Sequence, residues 1–441
     1  MAEIRPFRAW RYNASLSKNI AQLTSPLFDV VSTRQTEVLY QNPYNSIHLS
    51  VPAQGVSYAE IAQRLHTWEQ EGILQQDALP SIYVYYQHFS IAGSTRSYCR
   101  KGFICNIKAY DWNEQVLLRH ENTIPRSVND RTALLKATQI NAAPTHGLYS
   151  DLTFTLEHYM DEAMKNPLYE TEDYQGVRDV LAVIQDATII QHFIDQLKDK
   201  QIILADGHHR YTSSLAYRKE KREANDQHTG FEPYNYHLMY LTNTESDDLR
   251  ILPTHRLING LADFDASALP EALSKYFEVQ PITDPYNVHE VILGKKWAFG
   301  CITAEAAFII RLKEAMIEEM EWSFPPVIKA LDLTVLHYFV IEKVLGIPGK
   351  QQRNSEKITF SRSLSECLDQ VKSGAAQAAF ITQDIPIEVV KQVCRSGYTL
   401  PQKSTYFYPK VVCGFVFSSV ADKAFEHLAD QYFTQQIQVN P

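Results

Sequence analysis

The chain has 441 residues, 45% hydrophobic and 21% charged, with a formal net charge of -9, which is the composition of a globular protein long enough for two or three domains. The acidic balance and the lack of a long Lys/Arg run argue against a nucleic-acid partner, no apolar run reaches the length of a membrane span, and MAEIRPFRAWRYN at the start has no signal-peptide core. Six scattered cysteines (Cys99, Cys105, Cys301, Cys367, Cys394, Cys413) form no CxxC pair and read as free thiols of a cytoplasmic protein.

In chain order, SIHLSV (46–51) predicts a strand, and SYAEIAQRLHTWEQEG (57–72) a helix with Ile61, Leu65 and Trp68 on one face and Gly72 as its stop. SIYVYYQHFS (81–90) and RKGFICNIKAYDW (100–112) predict a hairpin, and NDRTALLKATQ (129–139) a capped helix. DATIIQHFIDQLKDK (186–200) is amphipathic. A short apolar strand QIILAD and a helix from HRYTSSLAYRKEKREAN come next, with strands over 235–243 and 249–258. The RKEKRE run (218–223) alternates in sign and reads as the solvated end of that helix. Further on, 268–277 predicts a helix, 296–312 a hairpin, 326–346 the longest helix, 363–374 a helix and 375–383 a buried strand. Strands separated by helices predict α/β layers.

One stretch concentrates chemistry: ILADGHHRYTSSLA, where a strand ends at Asp206 and a helix begins after Gly207. Glycine permits a tight turn there. Free N–H groups at a helix start favour anions, Arg210 offers a forked donor, and His208 and His209 add donors near neutral pH. Asp206 is placed to ligate Mg²⁺ or to take a proton from an attacking hydroxyl. The plainer alternative is that Asp206 caps the helix and the imidazoles pair locally. Zinc or iron bound by Asp206 and the adjacent histidines is a weaker alternative, because neighbouring side chains diverge and no H-x-x-x-H supplies a second pair.

This corner resembles the DGHHR box of the ParB/sulfiredoxin-like superfamily, which includes nucleotide hydrolases and free-serine kinases. The resemblance implies that Asp206 is catalytic and that Gly207, His208, His209 and Arg210 hold nucleotide phosphates. No cysteine lies near Asp206, so sulfiredoxin chemistry is not implied, and the helix-turn-helix and basic surface of ParB are missing. Across nearly the whole chain, IRPFRAWRYN, FDVV (28–31), HENT (120–123), DR (130–131), LPTHR (252–256) and LPQKSTYFYPKVVCGFVF (400–417) resemble the domain-of-unknown-function family 1015. Its usual Tyr-Asp-Val-Val is Phe28-Asp29-Val30-Val31 here, one hydroxyl fewer, and Asp29 is a candidate through this resemblance alone.

Other residues read two ways. His120, Glu121, Asn122 and Thr123 leave a strand, as an acid and imidazole for catalysis and substrate binding or as an ordinary strand exit. Asp130 fits the dipole of the next helix, and Arg131 could reach a carboxylate or phosphate. Lys403, Ser404, Thr405 and Lys410 could clamp phosphate beside base-stacking Tyr406, Phe407 and Tyr408, or belong to a packed surface loop. His255 and Arg256 could enter the same cleft. Asp332 and His337, five apart, suit a core helix with one buried polar contact.

The expected fold is α/β (α+β-like), a ParB/sulfiredoxin-like unit with flanking α/β segments over 1–150, 151–265 and 266–441 that could intertwine. The expected function is a nucleotide-dependent phosphotransferase using ATP or ADP with Mg²⁺ on a small-molecule substrate, an amino-acid hydroxyl among the options. A nucleotide or phosphoester hydrolase, a metal-dependent hydrolase and a non-catalytic nucleotide binder are the alternatives. No pattern fixes an oligomeric state.

Overall fold

The computed structural model describes residues 2–91, 94–353, 355–401 and 403–421. It divides into two compact units that interleave along the chain. Unit 1 takes 1–119, 123–249 and 409 onward, and unit 2 takes 120–122 and 250–408.

Unit 1 is built on a nine-stranded mixed sheet. Its order runs Leu117–Arg119, Ile202–Asp206, Thr145–Tyr149, Tyr236–Asn243, Ser97–Lys108, Ile82–Ser90, Arg178–Ile184, Tyr169–Glu172, with Ile4–Arg5 added to Ser97–Lys108. Alternation sorts the strands onto two cores. Ile82, Val84 and Tyr86 face one, with Phe193 and Leu197 of helix Ala187–Leu197 and Tyr211 of helix His208–Ala224. Tyr83 and Tyr85 face the other, with Ile61, Leu65 and Trp68 of helix Tyr58–Gln70. Burial on both faces is why these strands read as continuous apolar runs. The hairpin expected over 81–112 forms, with Tyr83 opposite Ile104.

Unit 2 carries a six-stranded antiparallel sheet, ordered Phe277–Ile282, Ala307–Leu312, Ala298–Thr303, Ala378–Ile381, His255–Ile258, Ile358–Ser361. The expected hairpin over 296–312 forms and supplies its second and third strands. The fold is mixed α/β, as the alternation of strands and helices predicts. No helix among the described residues is long and apolar enough to cross a membrane.

Three expectations need correction. SIHLSV is a short helix, Ile47–Ser50, because the buried Asn45 side chain accepts from the Ile47 N–H at 2.9 Å and turns the chain. Residues 249–258 form two strands in different sheets, Arg250–Leu252 with Tyr406–Tyr408 and His255–Ile258 in the large sheet; Pro253 between them has no N–H for a ladder. The helix expected over 326–346 is three pieces, Pro326–Lys329, Asp332–Val335 and a π-helix Leu336–Val344.

Candidate functional site

The DGHHR corner lies wholly in unit 1. Strand Ile202–Asp206 pairs with Thr145–Tyr149, and the register slips between Leu204 and Asp206, so Asp206 stands opposite His146. Such a bulge re-aims a side chain at a strand end. Gly207 follows at φ 89, and an added Cβ would lie 2.6 Å from Thr145 Cγ2 and 2.9 Å from Arg210 Nη2. Only glycine meets both demands. The 17-residue helix His208–Ala224 starts next, with no side-chain cap at Gly207, so Asp206 does not cap it.

Asp206 instead pairs with two cations. Its Oδ1 accepts from Lys410 Nζ, and its Oδ2 from Arg210 Nη2 at 3.1 Å, with all three side chains 12–13% exposed. Burial alone would raise this carboxyl, but Lys410 and Arg210 outweigh it and hold the group well below the usual carboxylate range. Such a carboxylate is a poor proton acceptor near neutral pH. It is also a poor Mg²⁺ ligand, since each oxygen already faces a cation. Among the described residues, no three His, Cys, Asp or Glu side chains are grouped to hold a metal ion.

Arg210 is anchored further by Nη1, which donates to the carbonyls of Ala143 at 3.1 Å and Pro144 at 2.7 Å. His209 Nε2 accepts from the Ile124 N–H at 3.0 Å, so the proton of its neutral form sits on Nδ1. That bond caps helix Pro125–Thr138, whose N-cap Ile124 has no polar side chain. His208 is buried in the first turn. Behind the corner, His146 donates to or accepts from Thr242 Oγ1 at 2.7 Å. Burial and Arg100 push its pKa far down, keeping it neutral. Arg100, 2% exposed, donates to Gln87 Oε1 and the Pro409 carbonyl, while its Nε and Nη1 have no hydrogen-bond partner among the described residues. Gln87 Nε2 reaches the Lys410 carbonyl at 3.0 Å and Asp179 Oδ1 at 2.8 Å. Asp179 also accepts from Tyr85 OH at 2.5 Å, and burial raises its pKa to about 7.

A cleft of about 60 Å³ opens beside Arg210, lined among others by Phe28, Ser50, Arg131, Asn141 and Cys413. Arg131 is fixed by Asp130 at 2.6 Å and by the Ser50 carbonyl at 2.7 Å, and lies 4.4 Å from the Phe28 ring centroid. Asp130 thus serves Arg131 and not the helix dipole, because the helix begins earlier, at Pro125, and has no acid in its first turn. Asp29 is exposed in the adjoining turn. Asn141 Nδ2 and Arg210 Nε are buried without a partner among the described residues.

The remaining candidates fall in unit 2, except Thr123, half-buried in unit 1. His120 Nε2 meets Thr405 Oγ1 at 2.7 Å, Glu121 Oε1 accepts from the Lys403 N–H at 3.2 Å, and Asn122 Nδ2 donates to Thr399 Oγ1 at 2.7 Å. HENT and PQKST therefore meet, as structural partners of each other. Ser404 Oγ donates to the Pro401 carbonyl and Lys403 is exposed. His255 accepts from the Thr382 N–H at 3.2 Å, and buried Arg256 donates from Nε to His337 at 3.3 Å. Arg100 and His146 gave no signal in sequence: a lone Arg or His on a strand shows no sign of facing inward.

Among solved structures, the chain is similar to a conserved hypothetical protein from Pyrococcus furiosus (13% identity over 69% of this chain and 92% of the other, TM-score 0.35). It is also similar to a free serine kinase in complex with AMP (15% identity, 68% and 88%, TM-score 0.33). A third is SbnI with a C-terminal truncation from Staphylococcus aureus (10% identity, 76% and 94%, TM-score 0.37). No curated protein matches. Apart from Lys410 and Cys413, the residues that gather at the corner and cleft of unit 1 lie within residues 4–334, the span matched by the family model described as "Protein of unknown function (DUF1015)", and the chain belongs to that family.

Proposed function

We propose that unit 1 binds the phosphates of ATP or ADP at the 206–210 corner and its cleft, and that the protein transfers a phosphoryl group to a small hydroxyl compound, with a free amino acid as the first class to screen. One observation carries the reading. Four stretches far apart in sequence, at Phe28, Arg131, Arg210 and Cys413, converge on one cleft, beside a corner where the cations Arg100, Arg210 and Lys410 outnumber the one carboxylate, Asp206, held ionised there. Buried excess positive charge favours an anionic ligand. Arg131, Arg210 Nε and Asn141 Nδ2 supply donors, and the cleft has room for a phosphoryl-sized group.

In this reading Asp206 is a positioning residue that aims Lys410 and Arg210. Phosphoryl transfer depends mostly on positioning and charge neutralisation, so a carboxylate that takes no proton is compatible with it. Thermal shift tests the binding step, with ATP, ADP, GTP and pyrophosphate, each with and without Mg²⁺. Saturation at about 100 times the dissociation constant adds roughly 2.7 kcal/mol. The expected result is a shift by at least one nucleotide that is lost in Lys410→Met; no shift with any of them rejects the reading. Phosphorus NMR with serine, threonine and glycerol then tests transfer.

A second reading, a nucleotide sensor without turnover, is favoured by the committed state of the corner's groups. Asp206 is held far from proton-accepting range, and His209 Nε2 is used by Ile124. Bound nucleotide that survives overnight with Mg²⁺ and every acceptor would select it.

A further inference from the structure

Unit 2 holds a half-open cavity of about 900 Å³, within the roughly 300–1,000 Å³ typical of small-molecule sites. Its residues take no part in the 206–210 corner. One wall is an aromatic ladder: Trp322 meets Phe324 at 5.8 Å and 88°, and Phe324 meets Tyr398 at 6.1 Å and 88°. Trp322 is held in place from behind. Tyr338 packs edge-on at 5.3 Å, and the indole N–H donates to Glu342 Oε2 at 3.2 Å. The same oxygen accepts from the Gly349 N–H at 2.5 Å, and a Cβ on Gly349 would lie 2.5 Å from Trp322 Cζ2. The chain thus gives up a side chain at 349 to fix an indole at a cavity wall.

The π-helix Leu336–Val344 faces the cavity with His337 and Glu342. They are five apart and would diverge on an α-helix, but i→i+5 turns bring such pairs together, and short π segments recur at functional sites. His337 Nε2 accepts from Arg256 and its Nδ1–H donates to Gln352 Oε1 at 2.8 Å, so the ring is neutral. Charge behind this wall comes from Arg256, fully buried, whose Nη2 has no partner among the described residues. Lys350 and Arg353 are exposed on the lining. Among the described residues Lys350 makes no ion pair. Of the two acids, Glu342 is committed to two N–H donors, and Glu121 accepts from Lys403 N–H and offsets Arg256.

We propose that this cavity binds a planar aromatic anion, of the aryl carboxylate class, with its ring against Trp322, Phe324 and Tyr398 and its charge toward Lys350. Aromatic edges and faces select a flat ring, and Lys350 on the lining is a cation with no ion pair among the described residues. The site is separate from the nucleotide reading and does not depend on it.

The test is calorimetric titration of the full chain with 2-naphthoate and with 2-naphthylmethylammonium, which share the ring and oppose in charge. Saturable 1:1 binding of the carboxylate is expected, at least about tenfold tighter than the ammonium. Lys350→Glu and Tyr398→Ala, both at exposed positions, are each expected to weaken it about tenfold or more, with melting temperature unchanged. Three results overturn the proposal: no saturable binding below about 5 mM, equal affinity for both charges, or affinity unchanged in both variants. A nucleotide thermal shift that persists in Lys350→Glu distinguishes loss of this site from loss of the corner.

Discussion

Replacing Asp206 with asparagine keeps the shape of the corner and removes its one strongly ionised carboxylate. Lys410 and Arg210 then share a neutral amide, at positions where all three side chains are 12–13% exposed and water offers little relief. Breaking a buried pair from one side costs about 3–5 kcal/mol. Arg210 keeps its bonds to Ala143 and Pro144, and the amide oxygen still accepts one bond from Lys410, which places the loss near 3 kcal/mol, the lower end. At about 2 °C per kcal/mol for a large unit, melting falls by about 6 °C. The pH dependence carries a sign. Burial raises the Asp206 carboxyl, Lys410 and Arg210 outweigh it, and the folded pKa ends below the unfolded value. Its contribution is therefore present above an unfolded pKa near 3.9 and is lost as pH falls through the folded one. Calorimetry of Asp206→Asn and the parent at pH 7 and below pH 4 reads both effects, and the gap between them narrows in acid. A second comparison uses Lys410→Met, which costs less in the asparagine background than in the parent. An asparagine variant melting within about 1 °C of the parent at pH 7 refutes the reasoning.

Gly207→Ala loses about 2 kcal/mol or more in urea unfolding, because it adds a Cβ at φ 89 that lies 2.6 Å from Thr145 Cγ2. His209→Ala costs about 1–2 kcal/mol by stranding the Ile124 N–H, and hydrogen exchange shows the start of helix Pro125–Thr138 opening more readily. Asp179 titrates near 7 when folded because burial opposes its charge, above an unfolded value near 3.9. Stability from this group is full at acid pH and declines as pH rises toward 7, so urea midpoints of the parent fall from pH 5 to pH 8 relative to those of Asp179→Asn.

What was legible in the sequence follows from how local each signal is. Strands Ile82–Ser90, Ser97–Lys108, Ile202–Asp206 and Tyr236–Asn243 declare themselves because both faces of the sheet are buried, and helix Tyr58–Gln70 because Ile61, Leu65 and Trp68 share its buried face; strands Thr145–Tyr149 and Arg178–Ile184 are not predicted from the sequence. The 326–346 stretch looks like one helix because apolar residues sit at every turn. Its division and its π segment are set by tertiary contacts, such as Asp332 Oδ1 accepting from the Trp297 N–H at 3.0 Å. The corner could be found from DGHHR, but its roles could not. The partner that sets the charge state of Asp206 is Lys410, 204 residues away. No linker composition marks the passages at 119–123 and 408–409, because the chain crosses between units there in ordinary strand exits.

The residues of the box do structural work in the absence of ligand: glycine for the turn, His209 for a neighbouring helix, Arg210 for two carbonyls, Asp206 for two cations. A phosphate and Asp206 then compete for the same donors, Lys410 Nζ and Arg210 Nη2. If the nucleotide reading holds, Asp206→Asn removes the competitor, so pyrophosphate raises the melting temperature of that variant more than it raises the parent's, and part of the 6 °C loss estimated above is recovered. Binding stabilises in proportion to the logarithm of ligand over dissociation constant, so a tenfold gain in affinity adds about 1.4 kcal/mol, about 3 °C on the same scale. Equal shifts in the two proteins would mean that Lys410 and Arg210 are not the phosphate donors, and would move the search to Arg131 and Asn141 in the adjoining cleft.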